Sequence, residues 1–160
     1  MESYFHFTSE ITSLVTNPIN LSFDYGMPIP GDSADVNANC MGDDNYGYDF
    51  YKEDNNPADK NGHGTHVAGT ILSAADNVGH PIRIVPLQFG DMNENDEFKG
   101  SLFAAICAIN YAVDREVDII NMSWGYSSPD RNQVLMHQVE KAHAAGILMV
   151  ASPGNKEQNE

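Results

Sequence analysis

Leu102, Ala105, Ile106, Ile109 and Val113 recur at three- and four-residue steps, the spacing of one helical face, and predict a helix from Gly100 to Glu116. Leu135, Val139 and Ala142 do the same for a second helix from Arg131 to Ala145, with Gly146 as its C-terminal stop. Around these helices the apolar positions close up into runs of strand length. Ile82 to Phe89 reads as a short strand with Pro86 near its end, Val117 to Met122 as a buried strand, and Ile147 to Ala151 as the next. Strand, helix, strand, helix, strand at these spacings implies parallel pairing with right-handed crossovers. The expected fold class is α/β, a three-layer domain whose mainly parallel sheet is flanked by helices.

Residues 1 to 45 break this order. Asn17-Pro18, Pro28, Pro30, Gly31 and Gly42 interrupt scattered apolar residues, and neither period is sustained, so the segment is read as loop-rich with no assigned role. Residues 46 to 160 are read as the domain that carries the chemistry. The whole chain of 160 residues, 41% hydrophobic, is long enough for one globular core. Its eight Lys and Arg against 23 Asp and Glu give a net charge of −15, which argues against nucleic acid or an anionic membrane as partner. No stretch has the apolar length of a membrane span, and Met1 to Thr12 lacks the basic start and apolar run of a signal peptide. Of the two cysteines, Cys40 falls in an acidic loop. Cys107 falls within Ala104-Ala105-Ile106-Cys107-Ala108-Ile109, where a buried free thiol is the expected state, and the compartment stays open.

The chemistry concentrates where a turn opens into a helix of small residues, Asn61-Gly62-His63-Gly64-Thr65-His66-Val67-Ala68-Gly69-Thr70-Ile71. Asn61 is a candidate cap, which sets His63 in the first helical turn. Unpaired N–H groups there disfavour imidazolium and favour the neutral ring that a general base needs. Gly64, Ala68 and Gly69 lower helix propensity, which makes sense if the helix is buried and other backbone approaches it. His63 and His66 also sit three apart as a metal pair would, but Gly64 stands where a His-Glu-x-x-His motif has its glutamate. A dinucleotide loop fails because Val67 occupies the third glycine position and Asn55-Asn56-Pro57-Ala58-Asp59-Lys60 is no strand. His6, His66, His80, His137 and His143 are read as structural. The oxygen-rich turns from Asp43 to Asn56 suit calcium chemically, yet they show no regular ligand spacing, and neither metal nor cofactor is expected.

Two further blocks close predicted strands: Ile119-Ile120-Asn121-Met122-Ser123-Trp124-Gly125 and Val150-Ala151-Ser152-Pro153-Gly154-Asn155. Parallel sheets place their sites beyond such strand ends. Together with the histidine block, in this order, they resemble the subtilisin-like serine proteases, the subtilase family, from Tyr46 to Asn155. The resemblance implies acyl transfer on a peptide or protein substrate: a serine attacks the scissile carbonyl, His63 takes its proton, and an aspartate holds the imidazole in the right tautomer. It further implies that Ser123-Trp124-Gly125 pairs its backbone with an extended substrate, and that the Asn155 amide donates to the oxyanion. Trp124 stands where the family commonly has leucine, and Pro153 where it has a small residue.

Two partners of His63 are not evident. No serine here lies in the Gly-Thr-Ser-Met-Ala type motif of the family nucleophile, so the resemblance implies a C-terminal half that carries it. For the aspartate, the nearest candidate is Asp32 in Asp32-Ser33-Ala34, which lacks the motif's glycine and follows Pro28-Ile29-Pro30-Gly31; a plain turn residue is the other reading. The expected function is a serine-type endopeptidase, of which this chain alone is inactive. Three rivals remain: a non-catalytic peptide-binding remnant, a truncated product without function of its own, and a metal hydrolase using His63 and His66.

Overall fold

Four of the five strands in the central sheet run in one direction, and the fifth, threaded between them, opposes them. The computed structural model describes residues 10–15, 47–79, 82–125 and 132–154. In chain order the elements are β1 (Glu10–Val15), β2 (Tyr48–Asp49), α1 (His63–Val78), β3 (Arg83–Gln88), β4 (Gly90–Met92), β5 (Phe98–Gly100), α2 (Leu102–Asp114), β6 (Ile119–Met122), α3 (Gln133–Ala144) and β7 (Leu148–Ala151). The sheet order is β2-β3-β1-β6-β7, and β4-β5 forms a separate hairpin. β2 pairs parallel with β3, and β6 with β7. β1 is antiparallel to both β3 and β6, with Leu14 opposite Ile84 on one side and Ile119 on the other.

The segment read as loop-rich therefore contains a strand, and that strand occupies the middle of the sheet. Glu10-Ile11-Thr12-Ser13-Leu14-Val15 carries no clean alternation of its own, and two long-range partners supply its hydrogen bonds. The expected α/β layering is present, with β1 as its one antiparallel member.

Alternation on the strands decides which face is buried. Val85, Leu87, Ile120 and Met122 point into one core with Ala104, Ala105, Ala108, Ile109 and Ala112 of α2 and Ala142 of α3. The alanines let α2 lie close to the sheet, and Ser101 caps its start by accepting from the Ala104 amide at 3.2 Å. Asn132 caps α3 in the same way through the Leu135 amide. α1 lies outside this core and touches β1; its buried residues are Gly64, Ala68 and Ala75. Among the described residues no helix is long and apolar enough to cross a membrane.

Candidate active site

The shared direction of β2, β3, β6 and β7 has a geometric result: the segments that follow them all leave from the same end of the sheet. After β2 come the turn from Phe50 to Asp54 and the loop to His63. After β3 comes the β4–β5 hairpin, after β6 Ser123 to Gly125, and after β7 Ser152 to Gly154. This end is where an open α/β sheet leaves room for a ligand.

His63 is the first residue of α1, half-buried, behind Gly62 as N-cap with a left-handed φ of 85°. The cap differs from the sequence reading. Asn61 is not the cap; its Nδ2 donates instead to the Met92 sulfur at 3.2 Å. The acceptor for the helix start is Asp59. Its Oδ1 accepts from the amides of Asn61 (2.9 Å) and Gly62 (2.8 Å), and its Oδ2 from the amide and hydroxyl of Thr65, both at 2.8 Å. Partial burial pushes the Asp59 carboxyl up, but these bonds outweigh it and hold the group below its ordinary range. Of the small residues that predicted a buried helix, Gly64 and Ala68 are buried, whereas Gly69 is exposed and a Cβ built on it would meet nothing within 4 Å. His66, exposed, lines a depression on the outer face of α1 with Gly69, Thr70 and Ser73.

A second set of charges ties the histidine loop to the hairpin. Asp49, fully buried at the end of β2, accepts from the amides of Tyr51 and Lys52 and from Lys52 Nζ. Lys52 also pairs with Asp91 of β4, and Lys60 reaches the same carboxylate at 3.4 Å. The Asp91 hydrogen bond raises Lys52 above the ordinary lysine value despite its partial burial. In turn, burial pushes Asp91 up, but Lys52, the Met92 amide and the charge of Lys60 bring it below the ordinary range. The sequence reading missed Asp59, Asp49 and Asp91. Only Asp59, three residues ahead of Gly62, carried a local signal, that of an aspartate turn.

Ser123 accepts a hydrogen bond from Asn121 Nδ2 at 2.9 Å, and a Cβ built on Gly125 would meet nothing within 4 Å. Trp124 turns inward. It is 8% exposed and packs on Phe89, ring centroids 5.3 Å apart, while Phe89 packs edge-on against Phe98 of β5. The indole thus supports this segment from below, and the hairpin touches the histidine loop directly and reaches Trp124 through Phe89. Ser152 donates its amide to the Met122 carbonyl at 3.0 Å, which holds the segment after β7 beside the one after β6. Gly154 makes the following turn with φ 85°, its amide bonded to Ser152 Oγ. Asp32 and Asn155 lie outside the described residues, as does Cys40. Burial, with the charge of Glu53, raises the Cys107 thiol above its ordinary value. Among the described residues no group of three or more His, Cys, Asp or Glu side chains is gathered as a metal ion needs.

The model of the subtilase family, peptidase S8, matches residues 15–160. Subtilisin DY of Bacillus licheniformis is 36% identical over 111 residues, which cover 68% of this chain and 39% of the relative. The major intracellular serine protease of Bacillus subtilis is 35% identical over 125 residues, covering 76% of the chain and 38% of the relative. Subtilisin-like protease 2 of Plasmodium falciparum is 37% identical over 108 residues, 63% of the chain and 8% of the relative. The chain thus spans about two fifths or less of the length of these relatives. No solved structure matches.

Proposed function

The chain belongs to the subtilase family, and from that premise we propose that it supplies the histidine, groove and oxyanion elements of a serine endopeptidase. His63 is the general base: it takes the proton of the nucleophilic serine as that oxygen attacks the scissile carbonyl, then returns it to the departing amine. Water repeats the cycle on the acyl-enzyme. Asn155 donates to the oxyanion, and the backbone of Ser123 to Gly125 pairs with the extended substrate; an aspartate orients the imidazole, and Asp32 is this chain's candidate for it, with a plain turn residue as the other reading. The serine comes from sequence beyond these 160 residues, and this chain alone does not turn over. The shortfall against the relatives' length supports that division.

The observation that carries this reading is the placement of His63 in the first turn of α1, at the sheet end from which Ser123 to Gly125 and Ser152 to Gly154 also depart. The test is peptide hydrolysis by the protein at its native length. His63→Ala is expected to lower turnover by roughly a millionfold, a scale measured on a subtilisin, because base and nucleophile act as one unit. Turnover within tenfold of wild type removes His63 from the mechanism. A second reading is a peptide-binding module that keeps the groove around Ser123 to Gly125. Peptide affinity that persists in His63→Ala, with no turnover in either protein, selects it.

A further inference from the structure

We propose that Asp59 is a positioning residue for His63: its carboxylate locks the helical turn that carries the imidazole, and Lys60 and Asn61 tether that lock to the β4–β5 hairpin. This rests on the reading of His63 as the base.

A helix start leaves its first amides without intrahelical partners, and an N-cap side chain usually answers one of them. Here the N-cap is Gly62, which has no side chain to offer. Asp59 does the work from outside the helix, with both oxygens. One oxygen holds the amides of Asn61 and Gly62, just ahead of His63; the other holds the amide and hydroxyl of Thr65, just behind it. With the backbone pinned on both sides, the ring of His63 keeps only its own side-chain rotations. The same short loop is fastened sideways, by Lys60 to Asp91 and by Asn61 to Met92, onto the hairpin that packs against Phe89 and, through it, Trp124. The reach from base to groove is thereby set by a chain of contacts in which Asp59 is the first link.

The discriminating variant is Asp59→Asn. It is close to isosteric, but it has one acceptor oxygen where the carboxylate has two, and its NH2 group faces donors. One side of His63 must come loose. In the native-length protein kcat is expected to fall about ten- to a hundredfold with KM within about twofold, the pattern of a misplaced catalytic group. Independently of any turnover, the His63 ring cross-peaks in NMR spectra of this chain are expected to shift or broaden. Those of His137 and His143 on α3, and the methyl signals of Ile109 and Ile120, are expected to stay in place. His63 ring peaks that match wild type while the Gly62 and Thr65 amides have moved overturn the proposal. If Asp59→Asn does not fold, Thr65→Val deletes one of the four bonds and is expected to shift the same ring peaks by less; an unchanged ring again overturns it. A wild type without turnover sinks the protease reading and leaves the ring spectra to decide the role of Asp59.

Discussion

Replacing Trp124 by alanine separates two accounts of the segment that follows β6. If the indole lined an open groove, its loss would change stability by no more than about 0.5 kcal/mol and would appear in peptide binding instead. The structure has it 8% exposed against Phe89, on the same side as Ile120 and Met122. Truncating a buried aromatic of this size costs about 3–5 kcal/mol, of which about 0.5–1.5 belongs to the ring pair. For a domain of this length that lowers Tm by about 6–20 °C. Trp124 is the sole tryptophan of the chain, so its emission in the wild type reports its own burial. A blue-shifted emission that moves red in a single denaturant transition is expected, with the variant followed by circular dichroism. The emission of a water-exposed indole, or a stability loss below 1 kcal/mol, refutes the inward placement.

Two glycines give opposite expectations. Gly90→Ala sets a Cβ 2.3 Å from the Phe98 ring and 2.6 Å from the Lys99 carbonyl, so β4 and β5 must part, at about 1–3 kcal/mol by thermal melting. Gly125→Ala meets nothing within 4 Å and leaves Tm unchanged, while in the native-length protein it raises KM for extended peptides. The pH dependence follows from Asp59 and Asp91, whose folded carboxyls sit below their ordinary values. Their contribution is complete above the ordinary carboxylate range and is lost as pH falls through the folded values, since the unfolded chain then binds more protons. Asp59→Asn and Asp91→Asn are each expected to flatten this acid limb in unfolding titrations followed by Trp124 fluorescence.

The helices α2 and α3 and the strands β3 and β6 were legible in the sequence, because each buries a face whose period shows in its own residues; β7 was legible only as a short apolar run, since Leu148 and Val150 stay exposed and Met149 alone is partly buried. The ends of these elements lie within two residues of the predicted bounds. β1 was not legible: Glu10 to Val15 is a strand only because β3 and β6 leave a place between them, and no local pattern carries that information. The helix start was misread for a related reason. Asn61 looked like the cap, but a glycine with positive φ took that place and the carboxylate came from Asp59, before the turn. The inward turn of Trp124 was available in principle, since Ile120, Met122 and Trp124 alternate on one strand face and all three are buried. The buried charges around Asp49 and Asp91 were not, because Lys52, Lys60 and Asp91 meet only after β2, β3 and β4 are assembled.

The decisive measurement is fluorophosphonate labelling of the protein from its native source, resolved by intact mass. The reagent reports an activated serine, and the mass reports the polypeptide that carries it. A labelled species well above the 17.6 kDa of this chain, with labelling abolished by His63→Ala, is the expected result. A protein that remains unlabelled at any mass, or whose labelling survives the loss of His63, contradicts the assignment of this chain to a working acyl-transfer site.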